Sequence, residues 1–303
     1  MTEFAHLHAD FRPVLLLSDR ERIQFLGQSR WIGYKSAHTV LDSLESLLEA
    51  PKRSRMPNLL IVGESNNGKT TIIKQFEKIH GKGFVDEDDE PVRPVVVAEA
   101  PPSAQEKDLY ASILEQLWMP YRTTDSTLTL RYQVIHGLRE LKVRMLIIDE
   151  LHSMLTGTAS KQREVMNTLK MLCNSLVIPI VGVGTVDAVQ ILHLDPQHAS
   201  RFDVIKLENW KLNPDFQRLL KAFEAVLPLK RPSGLFKPEI AQLIHSISGG
   251  NTGNVHDLLV ECAKEAITSG KECIDREIIV SVRPRHLPNP AKPRHGVHLN
   301  SGG

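Results

Sequence analysis

Up to about residue 207 the apolar positions alternate between short continuous runs and stripes of helical spacing; beyond Asn213 only the helical spacing remains. The runs are Asn58-Leu-Leu-Ile-Val62, Pro94-Val-Val-Val-Ala-Glu-Ala100, Val143-Arg-Met-Leu-Ile-Ile-Asp149-Glu150, Ile178-Pro-Ile-Val-Gly-Val183 and Val204-Ile-Lys-Leu207. Continuous apolar runs of this length, bounded by turn residues, predict strands buried on both faces. Helical stripes separate them. Ser36–Leu48 carries Val40, Leu41, Leu44, Leu47 and Leu48, and a helix from Lys69 carries Ile72, Ile73 and Phe76. Ser103, with Glu106 as its capping-box partner, predicts the start of a helix bearing Leu109, Ile113, Leu114 and Leu117. Leu128–Leu141 and Lys161–Leu176 (Val165, Leu169, Leu172, Leu176) complete the set. Strand–helix alternation of this kind predicts an α/β layer sandwich whose ligand sits at the carboxyl ends of the strands.

The flanks read differently. Phe11–Leu17 is either a short strand or a docking segment, and Ser18 opens one or two helical turns over Asp19–Leu26. The acidic run Asp86–Glu90 predicts a solvated loop. Leu219, Leu220, Phe223, Val226 and Leu227, then Ile240, Leu243, Ile244 and Ile247, then Val255, Leu258, Leu259, Cys262, Ala266 and Ile267 predict a small all-helical domain. The tail, Pro284–Gly303, holds four prolines, three histidines and basic residues with nothing to build a core, and is expected to be disordered. The expected division is an N-terminal extension (1–30), an α/β domain (31–210), a helical lid (211–282) and the tail (283–303).

The chemistry is concentrated at the end of the first run. Gly63-Glu64-Ser65-Asn66-Asn67-Gly68-Lys69-Thr70 follows a strand and opens a helix, which is the context a phosphate-binding loop needs. Backbone N–H groups of such a loop wrap a polyphosphate, and the helix N-terminus adds partial positive charge. Lys69 then reaches the β- and γ-phosphates, and the Thr70 hydroxyl takes a place on Mg²⁺. Gly63, Glu64, Ser65, Asn66, Asn67, Gly68, Lys69, Thr70 and Thr71 are thus the candidate nucleotide contacts. The third run ends in two acids, the other half of an ATP site: Asp149 as the Mg²⁺ ligand and Glu150 as the group that polarises the attacking water. Trp31-Ile-Gly-Tyr34, ahead of the first long helix, either flanks the adenine or anchors the core.

Composition narrows the class without changing it. The 303 residues are 41% apolar and 24% charged with a net charge of +1, an ordinary soluble balance that neither requires nor excludes nucleic acid. No apolar run approaches the roughly 20 residues of a membrane span, and Met1-Thr-Glu-Phe-Ala-His6 lacks the order of a signal peptide. A cytoplasmic protein is expected. Cys173, Cys262 and Cys273 show no C-x-x-C spacing and read as structural thiols.

The phosphate loop, the strand ending in Asp149-Glu150, the strand tipped by Gly184-Thr185, Arg201 before the last strand and the helical lid together resemble the AAA+ ATPases over roughly residues 30–282. That resemblance implies a five-stranded parallel sheet of order 5-1-4-3-2. It also implies that Thr185 is the polar sensor of the attacking water and Arg201 the arginine finger for a neighbouring subunit. The lid turn Ser248–His256 lacks the arginine of many AAA+ lids, which leaves Asn254 or His256 as weaker contacts.

Within that class the chain is more similar to the TniB/TnsC-type transposition ATPases. The likeness lies in Trp31-Ile-Gly-Tyr34, Gly63–Thr71, Ala98-Glu-Ala-Pro-Pro102, Leu146-Ile-Ile-Asp-Glu-Leu-His-Ser153 and Gly182-Val-Gly-Thr185. It implies a bacterial ATPase that oligomerises as a ring or filament on double-stranded DNA and recruits or activates a TniA/TnsB-type transposase, with a TniQ-type target selector as a further partner. Lys107, Thr123 and Thr124 are the candidate DNA contacts. Lys52, Arg53, Arg55 and the basic tail are alternative phosphate contacts or linkers. Another AAA+ switch, such as a helicase loader or secretion-type ATPase, shares every nucleotide-site motif.

Overall fold

The computed structural model describes residues 4–28, 30–103, 105–155, 158–189 and 201–282. In chain order its helices and strands are α1 (Asp19–Leu26), α2 (Lys35–Leu48), β1 (Asn58–Gly63), α3 (Lys69–His80), β2 (Phe84–Val85), β3 (Pro91–Val92) and β4 (Val95–Glu99). There follow α4 (Glu106–Gln116), α5 (Thr127–Glu140), β5 (Met145–Asp149), α6 (Ala159–Leu176), β6 (Ile180–Gly184) and β7 (Phe202–Leu207). The last helices are α7 (Pro214–Glu224), α8 (Pro238–Ser248), α9 (Thr252–Thr268) and α10 (Arg276–Ser281). The chain divides into two compact units, Trp31–Glu208 and one assembled from both ends, the chain up to Arg30 with Asn209 onward.

The first unit is a parallel sheet of order β4-β5-β6-β1-β7. Setting aside the two-stranded ribbon β2-β3, its five strands follow the expected order 5-1-4-3-2. Alternation within the central runs explains how both faces are covered, because successive side chains of a strand point to opposite faces. Leu60 and Val62 enter one core with Val96, Ile148, Leu109, Val134 and Leu169, the side of α4, α5 and α6. Leu59 and Ile61 enter the other with Ile147, Val40, Leu44, Ile72 and Phe76, the side of α2 and α3. A fully buried Leu or Ile contributes about 1.5–3 kcal/mol. Trp31 and Tyr34, partly buried, pack against this second core, as the anchor reading expects.

Register then fixes the functional edge. Val62 of β1 lies level with Gly184 of β6, and Ile148 of β5 with Gly182, so Gly63, Thr185 and Glu150 emerge together at the carboxyl ends. β6 lies between β1 and β5, which separates the phosphate loop from Glu150 by about two strand spacings, roughly 10 Å. That is room for a phosphate and a water.

One local reading is refined and two are corrected. The acidic run is the exposed loop expected of it, here the turn of the β2-β3 hairpin. Asp86 accepts from the backbone N of Asp88 and Glu90 (3.0 Å each), and Lys142 pairs with both Asp86 and Glu90 (2.7 Å to the latter). Ser103 does not cap α4; the helix starts after Gln105, and the Ser103 hydroxyl instead donates to Asp108. Glu106 is then the first helical residue, too early to complete a capping box. Phe11–Leu17 is not a strand, since Ala9–Leu16 is a 3₁₀ helix; Val14 and Leu15 are buried, as the alternative of a docking segment expects. The Ser18 cap is present as read, and Glu21 completes a capping box with it.

The second unit is helical. Proline at the first turn starts α7 and α8, and the side chains of Asn213 and Asn251 cap α7 and α9. The N-terminal residues, which sequence presents as an extension, are built into it. The side chain of Arg22 in α1 is fully buried, donates to the carbonyl of Pro228 (2.7 and 3.2 Å) and pairs with both oxygens of Glu272 (2.5 and 2.8 Å). Removing one partner of such a buried pair costs about 3–5 kcal/mol. Cys173 and Cys262 are buried, and burial pushes both thiols up, Cys262 to about 12. Among the described residues no helix is long and apolar enough to cross a membrane. The expected disordered tail lies outside the described residues.

Candidate nucleotide-binding site

The site begins with a strand that stops abruptly. β1 is buried throughout, and at Gly63 the chain passes so close to β7 that a Cβ would lie 2.8 Å from the carbonyl oxygen of Leu207. Asn67 pins the far side of the loop to the same carbonyl, its side-chain amide donating at 3.0 Å from a buried position. Asn67 is therefore a clamp for the loop by its side chain. Asn66 (φ 60°) and Gly68 (φ 80°) are left-handed, which curls the loop over the start of α3. No side chain caps that helix, so its first N–H groups face the loop's concave side, an arrangement suited to a phosphate.

Lys69 occupies the centre. Its ammonium is buried and donates to the carbonyls of Gly63 (3.1 Å) and Glu64 (2.7 Å), two of its three donors. Burial lowers its pKa, against the opposing pull of the Glu150 and Asp149 carboxylates. Two acids near enough to act on that lysine are what a site for a metal-bound polyphosphate requires.

Asp149 ends β5 nearly buried, with Oδ1 accepting from the backbone N of Glu150 at 2.8 Å. Glu150 then takes a left-handed conformation (φ 54°). For a non-glycine residue this is uncommon and concentrated at functional sites. It turns the carboxylate out of the sheet. A cavity of about 280 Å³ is lined by Ser65, Asn66, Asn67, Gly68, Lys69, Thr70, Thr71, Glu150, His152 and Thr185. The structure thus brings the loop, Glu150 and Thr185 to one place. His152 joins them, though the sequence marks it only as part of a likeness; the Asp-Glu-x-His spacing, with the histidine on the turn after the acids, is the signal for it.

The donor set fits Mg²⁺. Among the described residues no group of three or more His, Cys, Asp or Glu could hold a metal by itself, and Mg²⁺ bound with a nucleotide needs only one or two protein oxygens beside phosphate and water. Of the two expected ligands, Thr70 lines the cavity, and Asp149, outside the lining, ends β5 next to Glu150, which is in it.

The remaining candidates lie elsewhere. Arg201 precedes β7 at the opposite end of the sheet, its guanidinium donating to Asn174 Oδ1 (3.1 Å) and its carbonyl accepting from Asn58 N (3.0 Å). Lys107 on α4 donates to the carbonyl of Thr123 (2.6 Å), so Lys107, Thr123 and Thr124 share one surface, on a loop braced by Asp125 and the backbone N of Arg122 (2.9 Å). Lys52, Arg53 and Arg55 are exposed on the segment entering β1. In the helical unit the Asn254 amide donates to the Ser248 carbonyl (3.2 Å) and His256 contacts Asp257 (3.1 Å).

A family model described as Bacterial TniB protein matches residues 22–212. Among solved structures the fold is similar to the ORC2 protein of Aeropyrum pernix in its ADPNP-ADP complexes, at 17% identity and a TM-score of 0.60 over 86% of this chain and 70% of that one. CDC6P from Pyrobaculum aerophilum is similar at 18% and 0.59, over 83% and 68%. The Aeropyrum pernix ORC1 protein in complex with DNA is similar at 17% and 0.57, over 81% and 63%. Identities this low speak to the fold alone.

Proposed function

The chain belongs to the TniB family of AAA+ ATPases, and from that premise we propose that it is an ATP-driven switch of DNA transposition in the bacterial cytoplasm. ATP and Mg²⁺ bind in the cavity, subunits assemble on double-stranded DNA, and the assembly recruits or activates a transposase of the TniA/TnsB type, with a TniQ-type protein choosing the target. The observation that carries the reading is the convergence of Lys69, Glu150 and Thr185 on one cavity over the uncapped start of α3. Lys69 holds the β- and γ-phosphates, and the backbone of Gly63–Thr71 wraps them. Thr70 and Asp149 hold Mg²⁺, which supplies charge neutralisation on the phosphates. Glu150 takes the proton of the attacking water while Thr185 orients it. Hydrolysis then dissolves the assembly, so the chemistry times the switch.

Lys69→Ala tests the site directly. Its buried ammonium is exchanged for nothing, and a charge-assisted hydrogen bond is worth about 1.5–3 kcal/mol. Nucleotide affinity, read by fluorescence of a labelled ATP, should fall about 10–100-fold, and ATP-dependent assembly on DNA should go with it. Undiminished affinity would remove the phosphate-loop assignment.

DNA binding should require ATP and fall steeply with salt, with little preference among sequences. Each phosphate neutralised contributes about −0.9 to the slope of log affinity against log salt. Anisotropy titrations across several salt concentrations on two unrelated duplexes check both. Lys107→Ala should lower the slope by about one and leave the sequence response flat. A flat salt response, or tight binding to one sequence alone, would mark a base-reading protein instead.

A further inference from the structure

His152 has no part in the reaction as proposed above, yet it is placed as if it did. Its Nδ1 is buried and makes no hydrogen bond, while Glu150 Oε2 lies 3.4 Å away, within ion-pair reach but off hydrogen-bond geometry. Buried polar atoms in folded proteins are almost always satisfied, and an exception in a functional cavity calls for an explanation, a catalytic role being one. The ring also has a prepared seat. At Gly184, the tip of β6, a Cβ would stand 3.2 Å from the His152 backbone N, 3.4 Å from its Cβ and 3.6 Å from Nδ1. Glycine at that position lets the His152 backbone pass close to the strand end, and His152 lines the same cavity as Glu150 and Thr185.

We propose that His152 is the positioning residue for Glu150: its Nδ1–H donates to one carboxylate oxygen when nucleotide and magnesium are bound, fixing the other oxygen toward the attacking water. The proposal rests on the ATPase reading and adds to it. A base must be within hydrogen-bond reach of the proton it takes, and such contacts are often long before the reactant is bound and tighten with it. Glu150 needs this help. It sits on a left-handed turn with about two-fifths of its side chain exposed, so its carboxylate has several rotamers open. A donor on one oxygen selects among them, as outer hydrogen bonds orient ligating and catalytic groups generally. With Nδ1 as the donor, the other nitrogen, Nε2, is left to accept.

Three variants and one spectrum test this. His152→Leu removes the donor, His152→Asn retains a nitrogen near the Nδ1 position, and Gly184→Ala presses on the backbone that carries the ring, since a Cβ there would meet His152 N at 3.2 Å. His152→Leu should lower kcat about 10–100-fold, in the range that mispositioning a reacting group costs, with ATP affinity within about twofold of the native protein. His152→Asn should regain much of that loss, and Gly184→Ala should show an intermediate one. Native kcat in His152→Leu would overturn the proposal. So would parallel loss of ATP affinity and turnover in a variant that melts normally, or a folded, ATP-binding His152→Asn no better than His152→Leu.

The spectrum does not depend on turnover. Side-chain ¹⁵N shifts of His152, assigned by their loss in His152→Asn, should show the Nδ1–H tautomer in the complex with Mg²⁺ and a non-hydrolysable ATP analogue, and revert to Nε2–H in Glu150→Ala. A Glu150-dependent tautomer in a protein that never hydrolyses ATP would uphold the contact and remove the ATPase reading. Turnover with a tautomer indifferent to Glu150 would do the reverse.

Discussion

Glu150→Gln is expected to bind ATP with near-native affinity, hydrolyse it about 10²–10⁴-fold more slowly, and accumulate as assemblies on DNA. The argument is one of shape and proton. Glutamine keeps the length and planarity of the side chain, so the left-handed turn after β5 and the packing around it have no reason to change. Asp149, whose Oδ1 is held by the Glu150 backbone N–H, is untouched, because that bond is made by the main chain. Lys69 and the loop are likewise untouched, and nucleotide binding survives. The loss is confined to proton acceptance: a carboxamide oxygen does not take a proton from water at neutral pH. Steady-state phosphate release gives the rate and equilibrium binding of labelled ATP the affinity. Sedimentation of protein with duplex DNA, chased with excess unlabelled competitor DNA, gives the lifetime of the assemblies. A variant that turns over at the native rate would assign the base elsewhere. One that hydrolyses slowly yet releases DNA at the native rate would separate hydrolysis from disassembly, and the timing role would be lost.

Much of this site is legible in the sequence because its parts are local. A glycine loop after a run such as Leu59–Val62, and two acids closing Leu146–Ile148, are decided within a few residues of backbone. The parallel sheet then carries them to one edge through the register of Val62 with Gly184 and Ile148 with Gly182. What stays hidden is long-range or conformational. The Arg22–Glu272 pair joins residues 250 apart, and no periodicity announces it. The acidic hairpin depends on Lys142, 56 residues from Asp86. Ser103 fails as a cap because the chain enters α4 two residues later than its side-chain chemistry alone would place it. His152 stands in sequence as one residue of a motif. Only the 3.4 Å approach of its bare Nδ1 to Glu150 Oε2 shows that it faces that acid.

Arg201→Ala is expected to bind ATP almost normally, hydrolyse it about 10³–10⁵-fold more slowly in the assembled state, and assemble weakly, the rate range being that of arginine fingers in GTPases. Within one copy of the chain the residue cannot serve its own site. It lies just before Phe202, which pairs with Asn58 at the start of β1, whereas the phosphate loop leaves from Gly63, paired with Leu207. Five residues of parallel strand separate the two levels, roughly 17 Å, further than one side chain reaches. The guanidinium is instead held by Asn174 Oδ1 at 3.1 Å, a neutral acceptor that a γ-phosphate would outcompete, since phosphate is fully charged and takes two parallel bonds from the guanidinium fork. Its planar fork suits a phosphate better than a lysine would, so Arg201→Lys should recover little. Mixing decides the matter. Glu150→Gln subunits keep Arg201, and Arg201→Ala subunits keep Glu150, so a mixed assembly contains interfaces where both are intact and part of the lost activity should return. The measurement is phosphate release as the two variants are titrated against each other at constant total protein, with co-assembly followed by energy transfer between labelled subunits. Activity that peaks at intermediate ratios is the signature of a site shared between subunits. If the labels report mixed assemblies and the activity stays at the level of either parent, Arg201 does not act across an interface, and ATP is then not what joins one subunit to the next through this residue.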